Sequence, residues 1–300
     1  MRILVAAAFA AVVAAASASA RTAADCAVTS VAMTPLTDLG PATYHGYRGG
    51  LYPGGRNAPG PRYLARGLAA ARQVKPVGGK IVLLSIGMSN ATQEFREFQR
   101  IARPAAGVLV VDGAIGGQDA EKIKDPSYRY WTAVDQRLAA AGATAAQVQA
   151  VWLKEAIARQ SEPFPADAQR LRDDLRAIVR ILGQRFPNLR LVYVSSRTYA
   201  GYATSPLNPE PQAYDSGFAV KWLVADAIDG RLTTRAWVGW GPYLWTNGTK
   251  GRADGLTWTC DDVRSTDGTH PSPSGRRKVA ALLVRFFQTS PTTRSWFAGG

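Results

Sequence analysis

The sequence predicts an α/β protein, a three-layer α/β/α sandwich around a central parallel sheet, and three observations carry that prediction. Short apolar runs at residues 81–85, 107–112, 149–153, 189–195 and 236–239 read as strands buried on both faces. Amphipathic stretches of helical period separate them; the longest, residues 166–186, sets Leu171, Leu175, Ile178, Val179, Leu182 and Phe186 on one stripe. Glycines and chemically active residue types follow the runs directly, where a parallel sheet presents its carboxyl ends and holds ligands.

Two segments of different character precede the first run. Arg2, the apolar residues 3–16 and Ala18-Ser19-Ala20 have the charged, hydrophobic and small-residue order of a secretory signal peptide spanning residues 1–20, cleaved after about Ala20. The mature chain is therefore expected to be secreted or periplasmic. The apolar run is Ala-rich and too short to span a bilayer comfortably, so no stable membrane insertion is expected. Residues 21–79 are rich in Gly and Pro and should wrap the body, apart from a short helix over 61–72. Within this wrap Tyr44, Tyr47 and Tyr52 surround His45, either lining a cleft or pinning the segment down. Residues 80–300 make the α/β domain.

The first strand ends in Gly87-Met88-Ser89-Asn90, whose Gly and Asn supply turn chemistry before Thr92 caps a helix over 92–103. Ser89 thus stands at a strand-to-helix turn, above the carboxyl edge and near the positive end of the helix, where a nucleophile or an anionic intermediate is favoured. A plain turn or capping serine fits the same stretch. The second strand follows at once and completes a βαβ unit with a right-handed crossover. At its end Gly113-Ala114-Ile115-Gly116-Gly117 lets the backbone approach a ligand and turn N–H groups toward Ser89, or simply makes a tight turn.

A helix over 128–141 leads to the third strand, which ends at Lys154-Glu155-Ala156-Ile157. After the fourth strand a Pro-rich loop, residues 195–212, sets Arg197, Tyr199, Tyr202, Asn208 and Glu210 on the rim of the crevice before a helix over 213–227. Trp240, Tyr243, Trp245 and Trp258 are dense enough to stack on sugar rings, and core or lid packing accounts for them equally well. Asp267-Gly268-Thr269-His270-Pro271 then sets a carboxylate three residues before an imidazole, a spacing that lets Asp267 fix the ring's tautomer while the other nitrogen faces a nucleophile. The helix that follows buries Val279, Leu282, Leu283, Phe286 and Phe287 and anchors that turn.

Cys26 and Cys260 are the two cysteines, and in an oxidising compartment they are natural partners, tying the mature amino terminus to the loop before Asp267. No C-x-x-C spacing occurs, and with only His45 and His270 a zinc site is not expected. The formal charge is +14, spread along the chain without a helix-turn-helix, zinc-finger or aromatic RNA-binding signature. Nucleic acid is thus not an expected partner; anionic cell-wall or polysaccharide surfaces are.

Taken in order, these stretches resemble the SGNH, or GDSL-like, serine hydrolases. Ser89 in GMSN matches the first motif and is close to the form seen in carbohydrate acetylesterases; Gly117 in AIGGQD matches the second; Asp267 and His270 in DGTHP match the fourth. The resemblance runs from about Lys80 to Phe287. It implies a flavodoxin-like strand order, and a secreted esterase acting on acylated polysaccharide or another small ester without metal or organic cofactor. Ser89, His270 and Asp267 would be the triad, and the N–H groups of Ser89 and Gly117 the oxyanion hole. Asn90, Gly116 and Lys154 would lie beside the substrate, with Arg197, Tyr199, Trp240 and Tyr243 around it. The third motif departs: Lys154-Glu155-Ala156-Ile157 stands where the family has Gly-x-Asn-Asp, so the Asn donor is missing. Loss of one such donor costs on the order of a hundredfold in rate. Replacement by Lys154, acyl transfer by the same triad, and an impaired, glycan-binding relative all remain open. An α/β-hydrolase reading is poorer, because that fold needs several strands before its nucleophile.

Overall fold

The computed structural model describes residues 23–298. The expected signal peptide lies outside the described residues. Five parallel strands form the sheet: β1 (Ile81–Gly87), β2 (Val108–Asp112), β3 (Val148–Lys154), β4 (Leu191–Val194) and β5 (Trp237–Trp240). Their order is β2-β1-β3-β4-β5, the flavodoxin-like order expected. β1, β3, β4 and β5 are buried along their whole length, which is why their sequences run apolar without alternation.

Six helices of three turns or more accompany the sheet: α1 (Pro61–Arg72), α2 (Ser89–Ile101), α3 (Tyr130–Ala140), α4 (Ala166–Arg185), α5 (Gln212–Ile228) and α6 (Pro273–Thr289). The chain crosses from β1 to β2 in one direction and from β2 onward in the other. Right-handed crossovers then put α2 on one face of the sheet and α3, α4 and α5 on the opposite face. In keeping with this, α2 packs on α6 and α4 on α5. The reversal leaves its crevice at the carboxyl ends of β1 and β3, where Gly87 pairs with Lys154.

One boundary differs from expectation in a way that matters. β1 continues through Gly87 and α2 begins at Ser89, three residues before the expected cap. The Thr92 hydroxyl is bonded to Asp112 instead of capping the helix, and Met88 stands at the N-cap without a side-chain bond. Ser89 is therefore the first residue of α2, its N–H among those that a helix leaves free at its start.

Residues 23–79 lie along the domain through specific bonds. The Leu36 N–H donates to the Tyr243 hydroxyl at 3.1 Å, the Tyr63 hydroxyl to the Val238 carbonyl at 2.7 Å, and Lys221 to the carbonyls of Arg48 and Gly49. Cys26 and Cys260 are joined as a disulfide with Cα atoms 5.4 Å apart, closing a separation of 234 residues. No helix among the described residues is long and apolar enough to cross a membrane.

Candidate active site

Ser89 is half-buried at the start of α2, and Gly87 is what lets it come so close to the sheet. A Cβ on Gly87 would stand 2.3 Å from the Lys154 carbonyl oxygen and 2.5 Å from the Ala91 Cβ, so no larger residue fits between β3 and the first turn of α2. The Ser89 Oγ is 2.9 Å from His270 Nε2, and His270 Nδ1 is 2.9 Å from Asp267 Oδ2. The three side chains form one hydrogen-bonded series, assembled from residues 181 positions apart in sequence.

The turn that carries Asp267 and His270 is held on several sides. Asp267 Oδ1 accepts the N–H groups of Thr269 and His270, each at 2.8 Å. Burial alone would raise the Asp267 carboxyl, but those N–H groups and the His270 ring outweigh it and hold the group below its ordinary value. Asp267 is thus an anion across neutral pH, able to hold the imidazole. Gly268 takes φ +61, and a Cβ there would lie 1.9 Å from the Tyr202 carbonyl oxygen, so both conformation and space require glycine. The Arg264 N–H donates to the His270 carbonyl, and Ser272 caps α6 immediately afterwards by accepting the Ser274 and Gly275 N–H groups.

The loop after β2 is fixed by Asp112, which sequence reading did not single out. Its carboxylate accepts the Ser85 hydroxyl at 2.7 Å and the Ala114 N–H at 3.1 Å, and also meets Thr92 and Arg96. The Ser85 Oγ in turn accepts the N–H groups of Gly113 and Ala114. A serine inside an otherwise apolar strand was the available signal, because such a residue needs a buried partner. Gly116 then lies against Ser89, a Cβ added to it being 3.5 Å from the Ser89 Cβ. Gly117 adopts φ +74 with open space around it. Both glycines are exposed, and neither N–H is bonded among the described residues.

Other residues chosen from the sequence have different places. Asn90 is buried and donates to the Thr269 carbonyl at 3.0 Å, joining the first turn of α2 to the His270 turn instead of facing a substrate. Lys154 is closed against Glu94, with Nζ 2.6 Å from Oε1, and both side chains are buried. Its ammonium is therefore not a free donor in place of the missing Asn. Tyr199, Trp240 and Tyr243 are buried, with the Tyr199 hydroxyl on the Val28 carbonyl and the Trp240 indole on the Leu51 carbonyl. Trp245 and Trp258 are buried too, bonded to Glu210 and to the Leu244 carbonyl. The dense aromatics are packing, since none offers a free face to a sugar ring. Arg197 is buried, and its guanidinium makes no hydrogen bond or ion pair among the described residues.

Among the described residues no group of three or more His, Cys, Asp or Glu is arranged to hold a metal ion.

No protein-family model matches the chain, and no curated protein matches it in sequence. Solved structures do. A Bacillus subtilis protein matches at 13% identity and a TM-score of 0.42 over 70% of this chain and 56% of its own, so the chain spans little more than half its length. A GDSL-like lipase from Bacteroides thetaiotaomicron matches at 11% identity and 0.41 over 74% and 94%. A salicylyl-acyltransferase from a tetracycline biosynthetic pathway matches at 14% identity and 0.37 over 69% and 54%. Likeness at this distance bears on neither substrate nor chemistry, which rest on the site's own geometry.

Proposed function

We propose that this protein is a secreted serine esterase that hydrolyses esters, acetyl esters first among them, on a carbohydrate. The observation that carries the reading is the unbroken Ser89, His270 and Asp267 series, with both links at 2.9 Å. Ser89 Oγ attacks the ester carbonyl as its proton passes to His270 Nε2, while Asp267 holds the ring and stabilises the imidazolium. The tetrahedral oxyanion is met by the N–H groups of Ser89 and Gly117, with the positive end of α2 behind them. Collapse breaks the carbonyl to alkoxy bond, His270 protonates the departing alcohol, and water repeats the cycle to release the acid. With an acceptor hydroxyl in place of water, the same steps are acyl transfer.

Support for a carbohydrate substrate comes from the motif resemblance and from the basic chain, +14 overall, which favours polyanionic surfaces; the buried aromatics lend it none. A second reading, a glycan-binding protein with weak or no turnover, is favoured by the closed Lys154–Glu94 pair, which leaves the missing Asn unreplaced at that position.

Release of 4-nitrophenol from its acetate by the mature protein separates the two. Turnover that falls ~10³-fold or more in both Ser89→Ala and His270→Ala, with folding unchanged, is the expected outcome. No turnover in the parent, together with retention on an insoluble polysaccharide, would replace the esterase with the binding protein.

A further inference from the structure

One buried cation at the carboxyl edge of the sheet has no partner. Arg197, three positions beyond the end of β4, is 5% exposed, yet its guanidinium makes no hydrogen bond or ion pair among the described residues, and Nε is fully enclosed. Three other enclosed cations are answered: Lys154 by Glu94, Lys221 by the carbonyls of Arg48 and Gly49, Arg252 by Asp254 and the Tyr243 carbonyl. A buried guanidinium whose N–H groups meet no acceptor is costly, so its persistence calls for one.

None of the protein's own carboxylates is that acceptor. Those whose fields reach Arg197 are Glu94, Glu210 and Glu155. Glu94 is held by Lys154. Glu210 accepts the Ala200 and Tyr214 N–H groups and the Trp245 indole. Burial pushes the Glu155 carboxyl well above the ordinary range, so it favours its neutral form.

Further polar atoms are stranded at the same edge. Ser196 Oγ, Glu155 Oε1 and Asn208 Oδ1 are all buried without a partner. Asn208 donates to the Ala158 carbonyl, so the loops after β3 and β4 meet here. Protein interiors seldom leave such groups unanswered, and together they describe the seat of a polar ligand. β4 lies two places from β1 in the sheet, which puts this seat ~10 Å from the strand leading to Ser89.

We propose that Arg197 binds a carboxylate of the substrate, so that the preferred esters are those borne by uronic-acid sugars or similar carboxylate-bearing molecules. The inference rests on the esterase reading and names its substrate class. A single guanidinium balances a single negative charge, and its planar fork matches a carboxylate in two parallel bonds.

The test compares hydrolysis of an acetylated methyl glucuronoside with that of the equivalent acetylated methyl glucoside by the mature protein, Arg197→Gln and Arg197→Lys. The parent should prefer the uronide. Arg197→Gln should lower the ratio of kcat/KM for charged over neutral ester by ~10- to 100-fold, mainly through KM, and Arg197→Lys should recover part of it. A parent without preference overturns the subsite, as does a Gln variant that slows both esters by one factor. If that variant does not fold, the parent decides: methyl glucuronoside must inhibit 4-nitrophenyl acetate turnover at lower concentration than methyl glucoside, and equal inhibition overturns the proposal. If the parent hydrolyses no ester, the esterase reading fails. Calorimetric binding of methyl glucuronoside then judges Arg197 separately, and binding no tighter than that of methyl glucoside overturns the subsite.

Discussion

The end of β1 and the end of β3 are neighbours in the sheet, yet their polar residues are arranged in opposite ways. At the first, Ser89, His270 and Asp267 are linked at ordinary distances, and the His270 and Asp267 side chains keep 21% and 26% of their exposure. At the second, Lys154 and Glu94 keep 3% and 0% and are closed on each other. Groups that must meet a substrate and pass protons need the open arrangement; a closed ion pair can do neither, but it can hold a platform. The Lys154–Glu94 pair ties β3 to α2, the helix that begins at Ser89. The difference teaches that charge at a sheet's carboxyl edge is not by itself catalytic machinery.

The sharpest way to break this comparison is to remove half of the closed pair. Glu94→Gln should cost about 3–5 kcal/mol in urea unfolding, because it leaves the Lys154 ammonium buried without its carboxylate. The joint replacement of Glu94 by Leu and Lys154 by Met should recover most of that loss. A Glu94→Gln protein as stable as the parent would show that the pair does not hold the platform.

A smaller effect is expected where the two regions are joined to the His270 turn. Asn90→Ala removes the bond to the Thr269 carbonyl and should cost about 1–2 kcal/mol of stability. Turnover of 4-nitrophenyl acetate should drop ~10-fold through kcat, because the imidazole is then less well held against Ser89. A change in KM alone would instead return Asn90 to direct contact with substrate.

The smallest effect concerns a carboxyl outside both regions, Asp215 in the first turn of α5, that does not ionise readily. Burial, with the Glu210 charge behind it, pushes Asp215 up to about 7. The unfolded chain releases that proton near pH ~4 and the folded protein near 7, so between them the folded state holds the extra proton. Stability therefore falls as pH rises through this window, by ~1 kcal/mol between pH 6 and 7. Asp215→Asn should flatten that slope in urea unfolding at the two pH values, and an unchanged slope would refute the assignment.

Much of this was legible in the chain. The runs at 81–85 and 149–153 are apolar because both faces of those strands are covered, and Asp267-x-x-His270 reads directly because three residues bring both groups into one turn. The cysteine pairing was legible for a simpler reason, there being two. The Lys154–Glu94 pairing was not, since a buried ion pair looks in sequence like two ordinary surface charges 60 residues apart. Trp240 and Tyr243 misled for the same reason: an aromatic residue favours a core and a binding cleft alike, and only burial separates them.

The sequence by itself determined the local patterns: strand and helix periods, the glycines at 87 and 268, the Asp and His of one turn. These follow from forces between residues close along the chain. Tertiary structure alone decided which charges were left over. Lys154 is bonded to Glu94 and Arg197 to no carboxylate among the described residues, because the desolvation that makes an unbonded charge costly is set by everything packed around it, and residues adjacent in sequence do not reveal that packing.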